Sequence, residues 1–239
     1  MHIHFIIHES YEGPAAFEEW VVNRGFQYTS THLYKGDKLP LSLHFDILII
    51  LGGPENPKTT IAECHYFNAE AEIDLIKQAI KENKAVVGVC LGAQLIGESF
   101  GANVEKSPEP EIGFFPINMT QKGLEAPLFN HFQPTEMVGH WHNDMPGIMP
   151  TSKILAYSEA CPRQIIEYSS LVFGFQCHLE LTKSSIEELI KYDYKAEQVS
   201  SLPWVQSIAE LLSINTKHMN ALLFNFLDRL VLKLKQQKK

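Results

Sequence analysis

Apolar and polar positions alternate along this chain in a pattern that changes period several times. Ile3, Phe5, Ile6 and Ile7 crowd into residues 2 to 8 and predict a first strand. A loop from Glu9 to Gly13 follows, and Pro14 suits a helix start. Phe17, Trp20 and Val21 then fall at helical spacing, with Gly25 as a stop. Phe26 to Tyr34 alternate as a second strand, and Lys35 to Ser42 form a polar loop. Phe45 to Leu51 is almost wholly apolar after Asp46, the mark of a strand covered on both faces. Residues 67 to 82 read as an amphipathic helix with Ala71, Ile73, Leu75, Ile76, Ala79 and Ile80 inward. Strands alternating with helices in this way predict a parallel sheet with helices on both faces.

After Gly101 the pattern shortens. Ala102–Glu105, Ile112–Ile117, Met137–His142, Ile154–Tyr157 and Gln164–Tyr168 read as short strands separated by Pro and Gly, the mixed or antiparallel half of the sheet. Leu171 to Cys177 is a strand that leads to His178. From residue 183 to 235 the chain turns helical, and Leu222, Leu223, Phe226, Leu227, Leu230, Val231 and Leu234 keep a 3.6-residue period. That stripe packs on its own domain or forms a face for a second copy or a partner. The basic end, Lys233 to Lys239, reads as a solvated terminus.

Candidate chemistry centres on Ala85-Val86-Val87-Gly88-Val89-Cys90-Leu91-Gly92-Ala93-Gln94. An apolar strand runs into Gly-Val-Cys-Leu-Gly, and apolar residues at helical spacing follow up to Phe100. Strand, sharp turn and helix make a nucleophile elbow with Cys in the place of Ser. A thiol at a helix N-terminus meets the positive end of the helix dipole, which favours the thiolate. The loop Gly52-Gly53-Pro54 leaves the third strand at the same carboxyl edge, where ligands gather in open α/β sheets.

Composition narrows the picture. The 239 residues permit a sizeable core, and 45% hydrophobic content is ordinary for a globular chain. A net charge of -8 argues against a nucleic-acid surface. Cys64, Cys90, Cys161 and Cys177 form no CxxC pair, so neither a zinc site nor a disulfide framework is indicated. A reducing cytoplasm fits a free Cys90. The N-terminal residues lack the pattern of a signal peptide, and no apolar run reaches membrane-spanning length. Cys64, Cys161 and Cys177 read as core residues. His140 and His142 share a strand face, but no acidic or Cys residue joins them at ligand spacing, so no metal is expected. His2, His4 and His8 carry no assigned role.

Three segments in order, Ile50-Leu51-Gly52-Gly53-Pro54, Gly88-Val89-Cys90-Leu91-Gly92-Ala93-Gln94 and Gly174-Phe175-Gln176-Cys177-His178-Leu179-Glu180, resemble the motifs of class I (triad) glutamine amidotransferases. Glu111-Ile112-Gly113 and Trp141-His142-Asn143-Asp144 look most like the GMP-synthetase-like branch. The resemblance covers roughly residues 40 to 185. It implies an α/β, flavodoxin-like three-layer domain over residues 1–185 with a mostly parallel central sheet. Residues 186–239 are then a C-terminal helical extension, packed on the same domain or at a dimer interface. It also implies a catalytic triad of Cys90, His178 and Glu180, with oxyanion donors at Gly53 and Leu91. Gly52, Gln94 and the backbone of Trp141, His142 and Asn143 would bind the substrate, glutamine or another γ-glutamyl small molecule. No cofactor is implied. Asn143 stands where the commonest version has Gly, Leu179 where Pro is frequent, and Cys177 where an aromatic is usual.

After Glu180 only 59 residues remain (239 minus 180), too few for an ammonia-accepting synthetase domain, and no P-loop occurs. Three functions stay open. The first is a stand-alone glutaminase that hands ammonia to a separate synthase partner. The second is a γ-glutamyl hydrolase or peptidase. The third is a non-catalytic binding or regulatory protein.

Overall fold

The computed structural model describes residues 1–194 and 202–237. Its centre is a nine-stranded sheet. In chain order the strands are β1 (His2–Ile7), β2 (Gln27–His32), β3 (Ile47–Ile50), β4 (Ala85–Val89), β5 (Glu105–Met119), β6 (Thr135–Met145), β7 (Lys153–Tyr157), β8 (Ile165–Ser169) and β9 (Val172–Phe175). They lie side by side as β2-β1-β3-β4-β9-β8-β7-β5-β6. The block β2-β1-β3-β4-β9 is parallel throughout, and the remaining pairs are antiparallel. The expected division between a parallel half and a later antiparallel half is therefore present.

Helices cover both faces. Helices α2 (Ala69–Lys81) and α3 (Leu91–Ser99) pack on one side, where Leu75, Ile76, Leu95 and Ile96 meet Leu48, Ile50 and Val86. On the other side α1 (Ala16–Asn23) sets Phe17, Trp20 and Val21 against Ile3, Phe5 and Ile49. A short α4 (Gln121–Glu125) joins β5 to β6. Three further helices follow the sheet: α5 (Lys183–Tyr192), α6 (Ile208–Leu212) and α7 (Lys217–Gln237).

The apolar stripe of α7 is buried within this one chain, from Leu222 to Leu234, against the α1 face of the sheet. Phe226 stands at the middle, its ring centroid 5.0 Å from those of Phe129 and Phe175 and 5.2 Å from that of Phe173. Burying such a ring contributes about 1.5–3 kcal/mol. At the helix edge Asp228 accepts from the Trp20 indole and from two Arg24 nitrogens. The stripe is thus consumed internally and offers no free docking face.

Three sequence expectations need correction. Pro14 lies ahead of α1, whose N-cap is Ala15 at φ 46°. The two short strands expected at 102–105 and 112–117 are one long strand, β5. Pro108 and Pro110 lack the N–H a ladder needs, and the pairing with β6 breaks between Lys106 and Glu111 while the extended chain continues. In α2 the buried stripe is Ala69, Glu72, Leu75, Ile76 and Ala79, with Ala71, Ile73 and Ile80 at its rim. A carboxylate, Glu72, therefore faces inward.

Candidate active site

The carboxyl ends of four neighbouring parallel strands, β1, β3, β4 and β9, meet at one edge of the sheet. Crossover connections in a parallel block put loops from distant parts of the chain at that edge. β3 delivers Gly52 and Gly53, β4 delivers Cys90, β9 delivers His178 and Glu180, and β1 delivers His8 and Glu12.

Cys90 stands between β4 and α3 with φ 51° and ψ -109°. A side chain at positive φ is uncommon and strained, and it aims the thiol out of the turn. The turn closes only because α3 can touch the sheet backbone. A Cβ on Gly92 would lie 2.1 Å from the Ile50 carbonyl oxygen, so any side chain there would force the helix off β3. The strand pairing Val89↔Phe175, and the bond from the Cys90 N–H to the Phe175 carbonyl (2.8 Å), set the nucleophile beside the end of β9.

His178 lies three residues beyond Phe175. Its backbone exchanges two hydrogen bonds with Gly139 of β6, at 2.7 and 3.0 Å. Its Nδ1 is 2.6 Å from Glu180 Oε1, and both side chains are buried. Burial opposes a charged imidazole, but the Glu180 carboxylate and the Cys90 thiol outweigh it and raise the His178 pKa well above its usual value. Nδ1 being occupied by Glu180, Nε2 is the nitrogen left for the thiol; it makes no hydrogen bond of its own. Two elements outside the sheet fix this segment. The Ala16 N–H at the start of α1 donates to the Glu180 carbonyl (3.0 Å). The Asn220 amide on α7 donates to the Leu179 and Leu181 carbonyls at 2.7 and 3.1 Å.

Above the thiol opens a cavity of about 510 Å³. Its wall includes Cys90, Gly53, Gln94, Trp141, His142 and Asn143, six of the ten residues singled out from the sequence. Cys90 Sγ lies 3.6 Å from the Trp141 carbonyl oxygen. Gln94 is buried, its Nε2 bonded to Gln176 (3.2 Å) and its Oε1 unpartnered. His178 and Glu180 lie beneath the wall, Leu91 opens α3 next to Cys90, and Gly52 lies under the Glu12 carboxyl.

Sequence reasoning misses Glu12. Its carboxylate packs so close that a Cβ on Gly52 would meet its Oε2 at 2.2 Å. Burial, and then the facing Asp193 and Glu180 carboxylates, push its pKa up to about 7 against the pull of His178 and His8. Glu55, Asp144 and Asp193 also line the cavity, and Lys106, paired with Asp144 at 2.7 Å, is the cationic side chain among them. Asp193, at the end of α5, accepts the Trp141 indole N–H at 2.6 Å. The only sequence signal for Glu12 is an acidic residue before Gly13-Pro14 at the end of a predicted strand.

His140 and His142 do have an acidic neighbour, contrary to the spacing argument. Glu111 of the adjacent strand lies 3.2 Å from His142 Nε2 and 3.6 Å from His140 Nδ1. It also accepts from Ser158 (3.0 Å) and Gln164 (2.6 Å). Glu111, His142 and Cys161 could present ligand atoms within 4.8 Å of one another. The Glu111 carboxylate is already supplied with donors, and burial pushes the Cys161 thiol up to about 11. This network anchors the His142 side chain away from the cavity, so that the Trp141–Asn143 backbone faces it. Among the described residues no helix is long and apolar enough to cross a membrane.

The geometry has counterparts among known proteins. The chain is 45% identical over 234 residues to the glutamine amidotransferase-like protein YfeJ of Salmonella typhimurium, covering 97% of this chain and 98% of that one. The crystal structure of SMU.1228c matches with a TM-score of 0.95 at 42% identity, over 97% of this chain and 100% of that one. The glutamine-hydrolysing subunit of GMP synthase from Methanococcus maripaludis is 29% identical over 147 residues, 60% of this chain and 68% of that relative. The family model of class I glutamine amidotransferases matches residues 16–194. On that match, and on an elbow cysteine set beside a buried His–Glu couple, this chain belongs to the class I glutamine amidotransferases.

Proposed function

We propose that the chain hydrolyses the side-chain amide of glutamine to glutamate and ammonia through Cys90, His178 and Glu180. The observation that carries this reading is the 2.6 Å His178–Glu180 couple beside a thiol held at positive φ on a cavity floor. The raised pKa of His178 favours a protonated ring, so the proton of Cys90 rests on the imidazole and the sulfur is ready to attack. Sulfur adds to the amide carbon, and the N–H groups of Gly53 and Leu91 receive the developing oxyanion. Leu91 suits this because the first N–H groups of a helix have no partner within it. His178 then gives its proton to the departing nitrogen, ammonia leaves, and a glutamyl thioester remains. A water molecule, deprotonated by His178, cleaves the thioester. Glu180 keeps the ring in one tautomer and stabilises its charged form.

The GMP synthase relative is named for hydrolysing glutamine as one part of a larger enzyme, and this chain has the same division of labour available: ammonia passes to a separate synthase partner. The test is ammonia release from glutamine by the purified chain, with and without a glutamine-analogue electrophile that alkylates Cys90. No ammonia above the level of a Cys90→Ala preparation overturns this reading.

One observation favours a second reading. The cavity falls in the size range of sites for drug-sized ligands and carries a row of carboxylates beyond Cys90. A γ-glutamyl conjugate larger than glutamine would use that space, which makes the chain a γ-glutamyl hydrolase. A kcat/KM for a γ-glutamyl dipeptide about tenfold above that for glutamine, about 1.4 kcal/mol of discrimination, decides for it.

A further inference from the structure

We propose that His8 and Glu72 form a second imidazole–carboxylate pair, which touches no substrate and holds the Gly52–Gly53 peptide so that the Gly53 N–H points into the cavity. The proposal rests on the acyl-transfer reading above and extends it to residues that the reaction itself does not use. His8 directly follows β1, next to the oxyanion loop that follows β3. Its Nδ1 lies 3.0 Å from the Gly52 carbonyl oxygen and its Nε2 lies 2.9 Å from Glu72 Oε2. Both side chains are almost sealed, at 1% and 2% exposure. The Phe67 ring stands edge-on to the imidazole at 5.8 Å.

A trans peptide is planar, and its C=O and N–H point in opposite directions. Anchoring the Gly52 carbonyl on the His8 side therefore turns the Gly53 N–H toward the opposite side, where Gly53 borders the cavity. The loop needs an outside anchor. Two consecutive glycines have the widest backbone freedom of any pair. Pro54 limits Gly53 from one side, and His8 fixes the peptide from the other. On its far face Gly52 is covered by the Glu12 carboxylate and lies close to Cys90. No side chain can take that position without displacing one of them.

The pair also explains why a carboxylate lies on the inward stripe of α2. A neutral imidazole has one N–H and can donate to one acceptor. A protonated one donates to both Glu72 and the Gly52 carbonyl. Burial disfavours the charge, but Glu72, Glu55 and the Gly52 carbonyl outweigh it and raise the His8 pKa to about 9. A buried ion pair is a costly way to obtain stability; what this one gains is a donor on the backbone that carries the oxyanion loop.

The experiment compares two reactions of Cys90. Hydrolysis of p-nitrophenyl acetate, corrected for the Cys90→Ala background, passes through an oxyanion. Alkylation by iodoacetamide displaces iodide from a saturated carbon and forms none. In His8→Leu the Cys90-dependent esterase rate should fall about 10- to 100-fold, somewhat less than the loss of a donor outright, and alkylation should stay within about twofold. With glutamine, kcat should fall by the same factor and KM should hold. His8→Asn, whose amide can still donate to the Gly52 carbonyl, should recover most of the loss. Glu72→Gln, which keeps the side-chain volume, should lie between, and it serves as the test if His8→Leu does not fold. An unchanged esterase rate, or alkylation falling in parallel, overturns the proposal, as does a wild type with no Cys90-dependent esterase. If the wild type cleaves the ester and releases no ammonia from glutamine, the glutamine reading fails while the ester comparison still decides the anchor.

Discussion

Cys90 is the residue on which every chemical step depends, and its strained φ belongs to the turn rather than to the thiol. Replacing it with Ala should therefore abolish ammonia release and leave the circular dichroism spectrum intact. Cys64→Ser, Cys161→Ser and Cys177→Ser should retain most activity, since none of these thiols borders the cavity. His178 moves the proton and Glu180 orients it. Glu180→Gln should accordingly cost roughly 10- to 100-fold less in kcat than His178→Ala. Equal losses in equally folded proteins would show the roles to be assigned wrongly. At His8 the consequence appears in stability. Its folded pKa of about 9 lies above the 6.5 of an unfolded histidine. A raised value means that the stabilisation is complete below pH 6.5 and disappears as pH rises through 9. The groups facing it are Glu72 from α2, Glu55 and the Gly52 carbonyl from the β3 loop, and Glu12 from the β1 loop. Urea unfolding at pH 6 and pH 10 should show the wild-type advantage over His8→Asn shrinking by about 3 kcal/mol; a constant difference would argue against a charged His8.

At the scale of elements, the elbow was legible because everything that makes it is local. Gly88, Cys90 and Gly92 sit within five residues, and the apolar strand and helix flank them directly. The His-x-Glu segment was legible for the same reason. What holds these pieces was not. His8 meets Gly52 across 44 residues and Glu72 across 64, and Asn220 reaches Leu179 across 41. Periodicity assigns a side chain to a face but cannot say which distant group faces it. Glu72 therefore read as a solvent position, and β5 as two strands, because proline shows as a break whether or not the chain stays extended. Asn220 provides an element-scale prediction. Asn220→Ala removes both donors to the loop that carries Glu180 and leaves two buried carbonyls unpaired, worth about 1–3 kcal/mol each. The denaturation midpoint should drop, and kcat should fall more than the lost stability accounts for at temperatures where the protein remains folded. An unchanged kcat would mean that the loop is fixed without α7.

Across the whole molecule, α7 closes the α1 face of the sheet. Phe226→Ala should cost about 3–5 kcal/mol, read as a shift in the urea midpoint at constant slope, because the ring is fully buried among Phe129, Phe173 and Phe175. The helix joins the two ends of the chain, since Asp228 holds Trp20 and Arg24 across 208 and 204 residues. That closure has a consequence for biosynthesis. A chain leaving the ribosome presents β1, the elbow and the His178–Glu180 couple long before Asn220 and Asp228 have been made. Until the last helix docks, the nascent sheet shows a bare apolar face, and the loop bearing the general base lacks one of its ties. Ammonia chemistry is thus withheld from incomplete chains, and an arrested product ending before residue 217 should go to chaperones or aggregates rather than to the soluble pool.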